Sequence, residues 1–119
     1  MKTDMAEEKH FEMQIREFLE WNGIVEAGTP EQDLPDKING WYFKVWGGGF
    51  QKAGIPDLII CVKGCFVAVE VKASKGKPSE LQKKNIDLIK KSNGYALFLY
   101  PSGFEEFREN IRFLLKGGD

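Results

Sequence analysis

The segment from Asp57 to Lys72 constrains the fold more than any other part of the chain. Two strand-like runs, Asp57 to Val62 and Cys65 to Lys72, are separated only by Lys63-Gly64. A two-residue spacer between such runs is a hairpin signal. With Lys63 and Gly64 as the loop, Val62 opposes Cys65 and every further pair sums to the same number. Cys61 then faces Phe66, Ile59 faces Ala68 and Asp57 faces Glu70. Directly opposed residues share a face of the sheet, with Cβ atoms about 4.5–5.5 Å apart. Lys72, two residues beyond Glu70, projects from that face as well. A one-residue slip would part the two carboxylates, and Lys-Gly is a weaker turn than Asn-Gly, which leaves a bulge at Gly64 open.

Around the hairpin, periodicity places the remaining elements. Phe11, Ile15, Phe18, Leu19 and Asn22 recur at helical spacing and predict a helix over residues 7–22, stopped by Gly23. Residues 26–40, with Pro30 and Pro35, read as a loop. Trp41 to Trp46 reads as a strand ended by Gly47, Gly48 and Gly49. Ser79 with Gln82 fits a capping box at the head of a helix to about Ser92. Tyr95 to Tyr100 is a further strand, and Phe104 to Leu115 an amphipathic helix. The resulting order is α, β, β, β, α, β, α. Cys65 to Tyr100 forms a β-α-β crossover, so its two strands should lie parallel. A mixed sheet flanked by helices follows, in the α/β or α+β class.

The 119 residues make one expected domain, residues 1–119. A hydrophobic share of 42% with 29% charged residues excludes a chain disordered throughout. No apolar stretch is long enough for a bilayer, and acids near the N-terminus argue against a signal peptide. An intracellular, cytoplasmic protein without a membrane partner is the expectation. Cys61 and Cys65 are too few for a disulfide framework and are expected as small buried hydrophobes. His10, the single histidine, excludes chemistry that needs two imidazoles. The net charge of −1 hides an asymmetry: residues 1–40 hold ten acids against four bases, and residues 41–91 ten bases against four acids. A basic middle suits a polyanion met on one face, and equally a helix solvated by lysines.

Two carboxylates directly opposed on a sheet repel each other, so Asp57 and Glu70 need a reason to be together. One is a structural ion cluster with Lys72. The other is a divalent cation, since carboxylate oxygens completed by water and phosphate oxygens suit Mg²⁺. An isolated Glu-x-Lys has almost no specificity. The information is in the combination of Pro56-Asp57, a hairpin, and Glu70-Val71-Lys72.

That combination, Gly54-Ile55-Pro56-Asp57 followed by Glu70-Val71-Lys72, resembles the PD-(D/E)XK nuclease superfamily. Glu12-Met13-Gln14-Ile15, Gly64 and Ser79-Glu80-Leu81-Gln82 make it similar to the VRR-NUC branch, over residues 12 to about 100. The resemblance implies a restriction-endonuclease-like αβββαβ core and hydrolysis of DNA phosphodiester bonds with Mg²⁺ or Mn²⁺. It implies Asp57, Glu70 and the Val71 carbonyl as metal ligands, with Glu12 as a further contact from the first helix. Lys72 would orient or deprotonate the attacking water, and Gln82 would line the site. A lysine beside an anionic site keeps its proton, which favours the positioning role.

Several assignments compete with plainer ones. Glu12 lies at the edge of the apolar stripe, where Glu8 is a rival. Gln82 could be fully occupied as the capping partner of Ser79. Lys52, Lys75, Lys77, Lys83 and Lys84 are candidates for phosphate contacts, although each alone reads as an ordinary surface lysine. Trp41, Tyr42, Phe43 and Trp46 could stack on bases but read first as core. Stand-alone members of the family suggest branched DNA such as a Holliday junction, a homodimer and a phage origin. The rivals are a nucleic-acid-binding protein on a retired nuclease fold and a sequence-specific, restriction-type nuclease.

Overall fold

A computed structural model describes residues 2–46 and 53–117. Helix α1 spans Lys2–Trp21 and buries Phe11, Ile15 and Leu19. It starts five residues earlier than the apolar stripe required. Asn22 Nδ2 donates to the Phe18 carbonyl at 2.8 Å where the helix ends. Strand β1 follows at once, Ile24–Glu26, inside and just before the segment read as a loop. Three residues are too few for an alternating pattern to register. The rest of that loop holds a 3-10 turn at Glu31–Asp33.

Strands β2 (Gly40–Lys44), β3 (Leu58–Val62) and β4 (Cys65–Val71) are antiparallel neighbours. Helix α2 (Glu80–Lys91) leads to β5 (Tyr95–Leu99), which lies parallel to β4. Helix α3, Phe104–Leu115, closes the fold. The sheet order is β1-β2-β3-β4-β5, with β1 parallel to β2. The chain is thus an α+β fold with a mixed five-stranded sheet and three helices, as expected except for the added β1.

The hairpin register is the one the spacing requires, from Val62↔Cys65 to Leu58↔Val69. Lys63 and Gly64 both adopt positive φ, 48° and 88°, as a two-residue turn matched to strand twist needs. No bulge intervenes.

This register sorts the side chains to two faces. Leu58, Ile60, Val62, Val67, Val69 and Val71 pack with Phe11, Ile15, Leu19, Phe107 and Ile111 in the main core. Each such fully buried aliphatic is worth about 1.5–3 kcal/mol. The opposite face carries Ala68 and Ala96 under Ile86 of α2, with Ile59, Ile89 and Phe98 alongside.

Helix α2 packs mainly on β5 and touches β4. Trp41, Cys61 and Phe66, towards the hairpin turn on this same face, are exposed. The expectation of buried cysteines therefore fails. Cys61 lies where α2 does not reach, and Cys65 borders the turn. The two also point to opposite faces, because Cys61 opposes Phe66 while Cys65 opposes Val62. Among the described residues no helix is long and apolar enough to cross a membrane.

Candidate active site

Asp57 precedes β3 by one residue and Lys72 follows β4 by one. Both stay in sheet register. Val45 N–H donates to the Asp57 carbonyl at 2.7 Å, and Lys72 N–H to the Leu99 carbonyl at 2.9 Å. One step past Leu58↔Val69, the register sets Asp57 opposite Glu70. The Asp57 side chain turns back onto β4, its Oδ2 accepting from Val71 N–H at 2.8 Å. In extended backbone the N–H and C=O of one residue point to the same side. The Val71 carbonyl therefore also faces Asp57.

Glu70 and Lys72 are the buried charged residues of the described chain, 5% and 8% exposed. Glu70 Oε2 accepts from Gln82 Nε2 at 3.1 Å and lies 3.8 Å from Lys72 Nζ. Its Oε1 is buried and receives no hydrogen bond from any N–H or O–H among the described residues. Burial, then the Asp57 charge, push the Glu70 carboxyl up to about 8, against the pull of Lys72. Burial also raises Asp57, opposed by the Val71 N–H. The two carboxyls are close enough to share a hydrogen bond when one is protonated.

Gln82 resolves the conflict between capping and site contact by doing both. Its Oε1 accepts from Ser79 N–H and from Lys72 Nζ, each at 2.9 Å. Its Nε2 is left for Glu70. An amide oxygen has two lone pairs and the amide nitrogen two hydrogens, so one side chain can complete the capping box and orient both charged residues. Lys72 Nζ also approaches the Lys77 carbonyl at 3.5 Å.

Helix α1 passes the open end of this cluster. Glu12 is paired with Lys44 at 2.6 Å and with Arg16 at 3.6 Å, so its carboxylate is already engaged by cations. Glu8, one turn earlier, is raised by burial and by the Asp57 charge, with Lys72 acting against it. Both reach the trio electrostatically: Glu8 interacts with Asp57, Glu70 and Lys72, and Glu12 with Asp57. Glu7 anchors the helix to the loop after β4, accepting from Ser74 N–H at 3.2 Å and from the Ser74 hydroxyl. The Lys44 and Ser74 contacts join residues 32 and 67 apart in the chain, and local periodicity carries no signal for either.

Lys75, Lys77, Lys83 and Lys84 are exposed on the loop before α2 and on its first turns. Lys83 pairs with Glu80 at 3.2 Å. Lys52 lies outside the described residues, as do Gly47, Gly48 and Gly49. Of the aromatics, Tyr42 is core, whereas Trp41 and Trp46 are exposed.

Among the described residues no three His, Cys, Asp or Glu side chains converge into a metal cage. Two carboxylates and a backbone carbonyl nevertheless form a hard-oxygen set suited to Mg²⁺ or Mn²⁺, which keep several waters. The unsatisfied Glu70 Oε1 fits such an ion. A cavity of about 400 Å³ lined by Phe66, Leu88, Ile89 and Asn93 lies towards the hairpin turn, away from the carboxylates. No family model, curated protein or solved structure matches this chain.

Proposed function

We propose that the chain is a Mg²⁺- or Mn²⁺-dependent endonuclease hydrolysing DNA phosphodiester bonds. One observation carries the reading: a half-buried Asp57 and a buried Glu70 meet at the end of a hairpin, and Glu70 Oε1 receives no hydrogen bond among the described residues. A fold that only needed stability would not oppose two acids there, because burying like charges is costly. The similarity of the Pro-Asp and Glu-Val-Lys segments to the PD-(D/E)XK superfamily, VRR-NUC branch, points the same way.

The metal would be held by Asp57, Glu70 and the Val71 carbonyl. When bound, such a cation makes water a nucleophile at neutral pH and offsets charge on the phosphoryl oxygens. Lys72 holds its ammonium beside Glu70 and Gln82, where it positions a nucleophile and stabilises charge developing on phosphate. Gln82 fixes the orientation of both side chains. The exposed lysines at 75, 77, 83 and 84 supply phosphate contacts that do not read sequence.

Selection by DNA structure follows the stand-alone members of the family this chain resembles, and a four-way junction is the preferred substrate. Its two-fold symmetry calls for two active sites, which a homodimer provides. The competing reading is a non-enzymatic nucleic-acid-binding protein. It is favoured by the way Lys72 and Gln82 already satisfy much of the cluster without a metal.

Calorimetric titration with Mn²⁺ and Mg²⁺, comparing wild type with Asp57→Ala, separates the two. Equal heats from both proteins would remove the metal site. A cleavage panel of linear, nicked, flapped and four-way DNA, with Lys72→Ala as control, then tests the reaction. Equal nicking by wild type and control would mean a contaminating nuclease.

A further inference from the structure

Beside the reaction centre, on the α1 side of the sheet, runs a groove of about 340 Å³. It is lined by Met5, Glu8, Lys9, Glu12, Met13, Arg16, Lys44 and Trp46. Its wall is tied to the site by register: Lys44 pairs with Leu58, the residue after Asp57, and Val45 N–H bonds the Asp57 carbonyl. Lys44 and Leu58 face α1 whereas Asp57 and Glu70 start from the other face, so the groove meets the carboxylates at the strand ends, where Glu8 of its lining interacts electrostatically with Asp57 and Glu70.

The composition of the groove is unusual for a surface. Trp46 is 70% exposed, and Met5 and Met13 are exposed with it. Lys44 Nζ sits 5.1 Å from the Trp46 ring centroid. Three cations, Lys9, Arg16 and Lys44, stand against two carboxylates, and Glu12 is already engaged by Lys44 and Arg16. A flat ring, two polarizable thioethers and a cationic rim match a ligand with an aromatic face and an anionic backbone. Arg16 is also held by Glu26 at 2.7 Å, so Lys9 is the cation of this lining with no ion pair among the described residues, and an apolar peptide would leave it uncompensated. A base pair inside a duplex has both faces covered by its neighbours, so only an unpaired base can present one to Trp46.

We infer that this groove holds an unpaired nucleotide adjacent to the scissile phosphate, with its base on Trp46 and its phosphate towards Lys9 and Lys44. The inference rests on the nuclease reading for the scissile phosphate, and it narrows the substrate to DNA with an unpaired nucleotide beside the cut: a flap, an overhang or an open branch point.

Binding of a fluorescent single-stranded oligonucleotide and of a blunt duplex, measured by anisotropy on the full chain without divalent metal, tests the groove independently of cleavage. Trp46→Ala is expected to weaken single-strand binding roughly 5- to 100-fold, to leave duplex binding unchanged, and to be largely rescued in Trp46→Phe. Trp21→Ala, at a ring 90% exposed on the last turn of α1, is expected to change neither. Met13→Glu places a charge in the same groove from an exposed position and is expected to act like Trp46→Ala even if that variant folds poorly. Equal loss on both DNAs, or no loss in either groove variant, overturns the inference. Retained metal-dependent nicking in that case would leave the nuclease reading standing. Wild type that cuts no DNA yet loses single-strand affinity in Trp46→Ala would do the reverse.

Discussion

Replacing Glu70 by Gln should make the metal-free protein more stable and the metal-dependent one inert. Burial and Asp57 raise the Glu70 carboxyl from an ordinary 4.5 to about 8. Between those values the folded chain holds a proton that the unfolded chain has released. Each pH unit then removes about 1.4 kcal/mol from the unfolding free energy. The stability is whole below about 4.5 and is lost as pH rises towards 8, to a ceiling of about 5 kcal/mol. That is a large part of the 5–15 kcal/mol typical of a domain.

The amide has no proton to lose. Its nitrogen can donate to Asp57 and its oxygen can still accept from Gln82 Nε2. In EDTA, the melting temperatures of wild type and Glu70→Gln should be close at pH 4.5. The variant should lead by at least about 5 °C at pH 8.5, taking roughly 3–5 °C per kcal/mol. Circular dichroism melts at four pH values measure this. Titrating groups away from the site are common to both proteins and cancel in the difference, whereas Asp57, which interacts directly with Glu70, is part of the measured effect. Added Mg²⁺ should raise wild type at pH 8.5 and leave the variant unmoved. A melting difference that does not grow with pH would refute the argument, because Glu70 would then ionise as an ordinary glutamate.

The same proton competes with the metal, so Mn²⁺ affinity in wild type should tighten towards tenfold per pH unit below about 8 and level off above it, as calorimetry at pH 6, 7, 8 and 9 would read. Ser79→Ala removes the hydroxyl that caps Gln82 N–H and should cost about 1 kcal/mol in a urea melt while sparing cleavage. Gln82→Ala should cost a similar amount and also lower cleavage at least tenfold, since Glu70 and Lys72 lose their common partner; unchanged cleavage would make Gln82 a cap only. Gly54→Ala should destabilise by about 1–3 kcal/mol, because Gly54 has φ +83° and a Cβ there would sit 2.8 Å from Leu81 backbone; a melt within 0.5 kcal/mol of wild type would contradict that packing.

The hairpin was readable because two independent signals agree on it. Lys63-Gly64 sets the turn, and a period of two does the rest, so Asp57 and Glu70 fall on one face without any tertiary information. Strand β1 was not readable, since Ile24–Glu26 is held by pairing with β2 across an intervening loop rather than by its own pattern. Cys61 departs from the expected burial for a related reason. Its strand looks uniformly apolar, but burial depends on which strands α2 covers. Glu12 illustrates the limit best: its place on α1 follows from helical spacing, whereas its partner Lys44 is set by how α1 crosses the sheet.

Gln82 connects the fold to the chemistry. The capping box draws its side chain back over the first turn of α2, which is what a helix start needs. Asn85, one turn on, donates to the Gly54 carbonyl at 2.9 Å, so the same helix also pins the loop that delivers Pro56 and Asp57. The strands bring the two acids together by register, and α2 then holds the loop and the side chains around them from one side. Helix α1 approaches from the other through Glu7 and Glu12. The repulsion between Asp57 and Glu70 is therefore borne by neighbours whose contacts are made without a metal. On the proposed reading the site would stand ready in the free protein, with its acids partly protonated, and would exchange that proton for a cation.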